Sequence, residues 1–146
     1  MNLFGVMNVS GSALQAERLR AEVVAANMAN ANTTRTPEGG PYQRQEVVFE
    51  SAASDQGVFA NHLLSGSEGE VGGVKIAAVV SDKSPGLRRY DPGHPDADKN
   101  GYVTYPDINP LTEMVDLMSA ARAYDLNSSA VQATKGMIDT SIDILK

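Results

Sequence analysis

The residues with the most chemical potential lie between positions 96 and 107. Asp96, Asp98, Asn100, Gly101 and Asp107 fall at positions 1, 3, 5, 6 and 12 of a calcium-loop pattern, with Val103 at its hydrophobic eighth position. That spacing gathers oxygen ligands around one cation. Against it, Pro92 and Pro95 block an entering helix, Pro106 and Pro110 block an immediate exiting one, and the closing bidentate Glu is shortened to Asp. A polar turn leading into a strand over 102–105 uses the same Asp, Asn and Gly residues and is the competing account. For acid–base chemistry near neutral pH only His62 and His94 are on offer, and neither adjoins a nucleophile motif. His94 sits in Pro92-Gly93-His94-Pro95, a turn, and His62 in a Ser/Gly-rich insertion. Glycines 66, 69, 72 and 73 fit neither phosphate-loop spacing, and G-x-S-x-G does not occur. The sequence therefore points away from an enzyme; it assigns no catalytic, cofactor-binding or metal residues, and no cofactor is expected.

The elements that would position any site are thinly cored. Leu, Ile, Val and Phe supply 32 of 146 residues, roughly 22%, close to the compositional border of disorder near 20%. Eighteen alanines fill much of the remaining apolar quota, Trp is absent, and close helix packing suits such a chain better than a deep ligand pocket. A net charge of −6 disfavours a nucleic-acid binder held by phosphate contacts. There is no cysteine, hence no disulfide or thiolate site. No apolar run approaches the roughly 20 residues of a membrane span, and residues 1–6 are unlike a Sec-type signal peptide.

An α+β class follows from the patterning: long N- and C-terminal helices flank a small β-rich region. Residues 1–34 hold the N-terminal helix. Ser12 with Gln15 reads as a capping box opening it, Leu14, Ala21 and Met28 recur every seven residues with Val24 between, and Asn30, Asn32, Thr33 and Thr34 end it. Pro37, Gly39, Gly40 and Pro41 predict a turn. Residues 35–108 form the small β-rich domain, with strands expected within 42–50, 73–82, 87–90 and 102–105 and a mobile insertion over 51–72.

Residues 109–146 predict a coiled-coil helix. Asn109 can cap it and Pro110 can occupy its first position. Met114, Leu117, Ala121, Tyr124, Ser128, Val131, Lys135, Ile138, Ile142 and Leu145 then alternate by three and four, eight of the ten being apolar or aromatic. A helix over 110–146 spans roughly 55 Å, against roughly 28 Å for an N-terminal partner beginning at Ser12. Either the two fold into a hairpin on their own sheet, or surplus seam pairs with another chain. The packing residues expected are Leu14, Ala21, Val24 and Met28 on the first helix and Met114, Leu117, Ala121, Tyr124, Val131, Ile138, Ile142 and Leu145 on the last.

The segment Val24-Ala25-Ala26-Asn27-Met28-Ala29-Asn30-Ala31-Asn32-Thr33 resembles the N-terminal signature of the axial proteins of the bacterial flagellum, the rod and hook family. Its usual form is close to A-S-N-L-A-N-A-D-T; Asn27, Ala29, Asn30, Ala31 and Thr33 match, while Ala26, Met28 and Asn32 depart conservatively. Pro41-Tyr42 before Val47-Val48-Phe49, then Gly73-Val74-Lys75-Ile76, Tyr90-Asp91-Pro92-Gly93-His94-Pro95 with Ala97-Asp98 and Gly101-Tyr102-Val103, Glu113-Met114 and Ala120-Ala121-Arg122-Ala123-Tyr124 extend the resemblance to the family's proximal-rod members. It covers nearly the whole chain except 51–72. The resemblance implies a structural subunit that polymerises helically, with itself and other rod proteins, into a hollow drive shaft crossing the periplasm. It also implies paired terminal helices in the inner wall, an outward β domain, and passage through the flagellar type III export apparatus without a cleaved signal. It makes the turn the better account of 96–107. Terminal segments that order only on joining the rod are a further expectation. A free-standing coiled-coil adaptor and a calcium-loop binding module are the alternatives.

Overall fold

The structure, a computed structural model, describes residues 3–52 and 72–144. Among them are two helices, α1 (Leu3–Ala29) and α2 (Pro110–Ile144), and four strands, β1 (Gln45–Ser51), β2 (Val74–Ser81), β3 (Leu87–Tyr90) and β4 (Tyr102–Tyr105). The class is α+β, with two two-stranded sheets, β1 with β2 and β3 with β4. Chain packing resolves two units: unit 1 comprises Met1–Arg18, Phe49–Ala77 and Ala121–Lys146, and unit 2 comprises Leu19–Val48 and Ala78–Ala120. Of the insertion expected over 51–72, residues 53–71, including His62, lie outside the described residues, as does Leu145; Ser51 itself closes β1.

The start of α1 corrects the sequence reading. The helix begins at Leu3, not at Ser12, and continues through Gly5 and Gly11. Ser12 does not open it: the Ser12 hydroxyl donates back to the Val9 carbonyl at 2.8 Å and accepts the Val74 amide at 3.0 Å, so within unit 1 it receives the first residue of β2. Back-bonding of this kind lets a serine sit inside a helix as readily as before one. Gly73 makes the approach possible, because a Cβ there would collide with the Ser12 side chain. Ala52 N donates to Gly73 O at 2.7 Å in the same unit. The buried residues of unit 1 among those described are Ser10, Ala16 and Thr134, and Thr134 satisfies its hydroxyl on the Ala130 carbonyl of its own helix at 2.8 Å.

In unit 2, Val23, Val24, Ala31, Val103, Ile108 and Ala120 are buried. Burial at 16, 20 (half), 23, 24, 27 and 31 follows helical spacing into the turn after α1. That turn closes with Asn30 N on Ala26 O and Thr33 N on Asn30 O, both at 3.0 Å. A tight turn follows at Thr36–Gly40, where Gly39 and Gly40 carry φ of 93° and 80°. Strands β3 and β4 pair antiparallel from Leu87↔Tyr105 to Tyr90↔Tyr102. α2 starts as its sequence predicts: Asn109 Oδ1 accepts Leu111 N at 3.0 Å, with Pro110 at the first helical position.

Candidate functional site

The feature that organises unit 2 is a buried polar knot centred on Asn27. It lies on the apolar stripe of α1, one turn after Val23 and Val24, and is fully buried. Its amide makes four hydrogen bonds: Nδ2 donates to Gln45 O at 2.8 Å and to Glu113 Oε2 at 3.1 Å, and Oδ1 accepts from Gln45 N at 2.9 Å and from the Tyr42 hydroxyl at 3.2 Å. An amide has two donors and two acceptor lone pairs, and all are used here. The bonds to Gln45 imitate a strand partner, so Asn27 pairs the beginning of β1 with α1.

Glu113, in the first turn of α2, is 1% exposed. Its second oxygen accepts Arg44 Nε at 2.6 Å, and Arg44 also meets Glu46 and lies 3.7 Å from Asp116, which in turn lies 3.8 Å from Arg20. A buried carboxylate is tolerable only when charge and lone pairs are both answered, and Arg44 with Asn27 does this. The Glu113 hydrogen bond raises the Arg44 pKa above its ordinary value. Burial raises the Tyr42 phenol, and the charge of Glu113 adds to it. The Asn27–Glu113 and Arg20–Asp116 pairs advance in opposite chain directions, so within unit 2 the facing parts of α1 and α2 run antiparallel.

The rest of the family motif shapes the exit from α1. Asn30 Nδ2 donates to Ala26 O at 2.9 Å, its Oδ1 accepts the Thr33 hydroxyl at 3.1 Å, and Tyr42 N donates to Thr33 O at 3.0 Å. Ala31 is buried, Met28 and Thr33 are half-buried, and Ala29 and Asn32 are exposed. Of the expected packing residues, Val24 is buried and Leu14, Ala21, Leu117, Val131 and Ile138 are half-buried. Met114, Ala121, Tyr124 and Ile142 are exposed, and on α2 burial concentrates instead at Glu113, Ala120 and Thr134.

The acids of the calcium-type spacing serve a turn. Asp98 Oδ1 accepts Asn100 N at 2.7 Å and Tyr102 N at 2.9 Å, and its Oδ2 accepts Arg88 at 2.9 Å. Led by the Tyr102 amide bond, these contacts hold the Asp98 carboxyl below its ordinary pKa. Asp96 accepts the Thr34 hydroxyl at 2.8 Å and pairs with Arg35 at 3.7 Å. Gly101, at φ 79°, lies under the Tyr90 ring, which meets Tyr102 edge-on at 5.3 Å. His94 Nδ1 accepts Asp96 N at 3.1 Å and its ring packs against Tyr105. Among the described residues no three His, Cys, Asp or Glu side chains converge on a metal position. An open groove of about 420 Å³ in unit 2 brings together Arg44, Asp82, Lys83, Ser84 and Arg88. Its Asp82 already accepts both the Ser84 hydroxyl and amide, which lower its pKa and make it a poor base.

Sequence reasoning placed Asn27 in a motif but gave no role to Tyr42, Arg44, Gln45 or Glu113. One signal was present: Asn27 is the single strongly polar residue on the stripe Val23, Val24, Asn27, Ala31, and a polar residue at such a position demands a partner.

Two long helices tied through the buried Asn27–Glu113 contact frame this site, and comparisons with known proteins place the chain among the axial subunits of the flagellum. The family model described as "Flagella basal body rod protein" matches residues 7–35, and "Flagellar basal body rod FlgEFG protein C-terminal" matches residues 99–144. The chain is 42% identical to the flagellar basal-body rod protein FlgC of Borreliella burgdorferi over 100% of this chain and 99% of that one. It is 42% identical to FlgC of Bacillus subtilis over the whole of both chains, and 38% identical to FlgC of Salmonella typhimurium over 94% of each. The chain belongs to the FlgC family of flagellar basal-body rod proteins.

Proposed function

We propose that this chain is a structural subunit of the proximal rod of the bacterial flagellar basal body, and not an enzyme. It polymerises helically with itself and other rod proteins into the hollow shaft that transmits torque across the periplasm and passes exported subunits. The near-full-length likeness to FlgC proteins carries this reading. The surface of α2 supports it. In unit 2, Leu111, Val115 and Met118 are exposed at 70%, 61% and 51%, at i, i+4 and i+7, while Glu113 and Ala120 on the other side of the helix are buried. In unit 1, Leu126, Met137 and Ile144 are likewise exposed. A helix apolar on both faces has two partners, one of which belongs to another chain.

Open helical growth joins two different, complementary surfaces, so the exposed apolar faces of the terminal helices meet unlike patches on neighbours. Met114, Tyr124 and Ile142 belong to this assembly surface, and coiled-coil pairing of the terminal helices is completed in the rod. The chain reaches the periplasm through the flagellar type III apparatus. Sedimentation separates this from an adaptor. A rod subunit stays monomeric alone and forms large assemblies when mixed with neighbouring rod proteins; a discrete closed oligomer of the chain by itself contradicts the proposal.

A further inference from the structure

We propose that Asn27 and Glu113 are positioning residues that select a single axial register between α1 and α2. The inference concerns alignment within one chain and stands apart from the rod reading. Its ground is the contrast between a smooth apolar surface and one discriminating polar contact. The buried apolar residues of these helices in unit 2 are Val23, Val24 and Ala120, side chains too small and too alike to distinguish one turn from the next. Asn27 and Glu113 are the fully buried polar pair there, bonded at 3.1 Å.

Sliding α2 by one turn sets Leu117 or Asn109 opposite Asn27. It also carries the Glu113 carboxylate about 6 Å along the axis, away from Arg44 Nε, which it now meets at 2.6 Å. With Leu117 opposite, an Asn27 donor lacks its acceptor, and in either slipped register the Glu113 carboxylate loses Arg44 Nε. Because Asn27 also bonds both backbone groups of Gln45, and Arg44 precedes it in the chain, β1 is a common reference for both helices. A polar residue on an apolar helix seam is the best-attested device for fixing register.

The chain contains no cysteine, so two introduced thiols are labelled cleanly. Nitroxides on Ala25→Cys and Ser119→Cys, both exposed positions of unit 2, report the α1–α2 alignment by pulsed electron-spin distance measurement in the isolated full-length chain. With Asn27 and Glu113 intact, one narrow distance is expected. Asn27→Leu with Glu113→Leu removes both polar partners together; helicity by circular dichroism is retained, and a second, displaced distance population of at least a tenth appears. An unchanged single distance in the Leu pair overturns the proposal, as do loss of its helicity or several distances in the parent chain. Each of these can occur while the chain still builds a rod.

Discussion

Asn27 Nδ2 donates to Glu113 Oε2 at 3.1 Å, joining residues 86 positions apart through a contact that solvent does not reach. The N-terminal family motif thus has its structural partner in the first turn of the C-terminal helix.

The knot makes an ordering of stabilities. Arg44→Met leaves the Glu113 carboxylate buried beside a methyl group, and a buried charge stripped of its partner costs about 3–5 kcal/mol. Glu113→Leu removes the charge itself; Asn27 loses one acceptor, while Arg44 keeps Glu46 and Asp116, so about 1–3 kcal/mol is lost. Urea unfolding should rank Arg44→Met as the more damaging change, and the reverse order would show that Glu113 does not depend on Arg44.

Two glycines separate by what surrounds them. A Cβ on Gly86 would collide with the Tyr105 carbonyl and approach Thr104 Cγ2 at 2.8 Å, so Gly86→Ala must displace β4 and should cost about 1–3 kcal/mol. Gly136 lies inside α2 with open space around it, and Gly136→Ala should stabilise the helix by about 0.5–1 kcal/mol. Thermal melting of the two variants should therefore move in opposite directions.

Acid acts on the turn between β3 and β4. The folded-state pKa of Asp98 lies below its ordinary 3.8, so its stabilising contribution is present above that value and is lost as pH falls through the folded-state pKa. Melting temperatures taken from neutral pH to about pH 3 should fall less steeply for Asp98→Asn than for the parent chain. Equal slopes would remove Asp98 from this role.

The described residues of the two units differ in apolar burial. Among the described residues, unit 1 has Ala16 as its buried hydrophobic residue, while unit 2 has Val23, Val24, Ala31, Val103, Ile108 and Ala120. Sparse burial lowers the cost of local opening. In the free subunit, limited proteolysis should cut first within 3–18 and 121–144 and leave 19–48 with 78–120 intact; first cleavage inside the latter segments would contradict this.

The fold was readable where its determinants are local. Asn109-Pro110 caps α2 and Asn30 with Thr33 ends α1 through contacts within a few residues, and the β-branched runs Val47-Val48-Phe49 and Val74 to Val80 mark β1 and β2 in the sequence. The start of α1 was misread because Ser12 carries the signature of a cap while its hydroxyl serves Val9 and Val74, the latter 62 residues away. The same limit hid the knot. Periodicity shows that Asn27 faces inward, but nothing local pairs it with Tyr42, Arg44 or Glu113, since those partners meet only after β1 and α2 are in place. On α2, the heptad pattern favoured Met114 and Tyr124, which are exposed, over Glu113, which is buried, because apolar residues occur on both faces of that helix.

Cells that lack this chain should lack a completed rod. Imaging basal bodies from cells in which it is deleted tests this most directly. An intact membrane-embedded ring with no completed rod and no filament beyond it, restored by the parent chain, is the expected result; complete filaments and normal motility without the chain would contradict its role as a rod subunit.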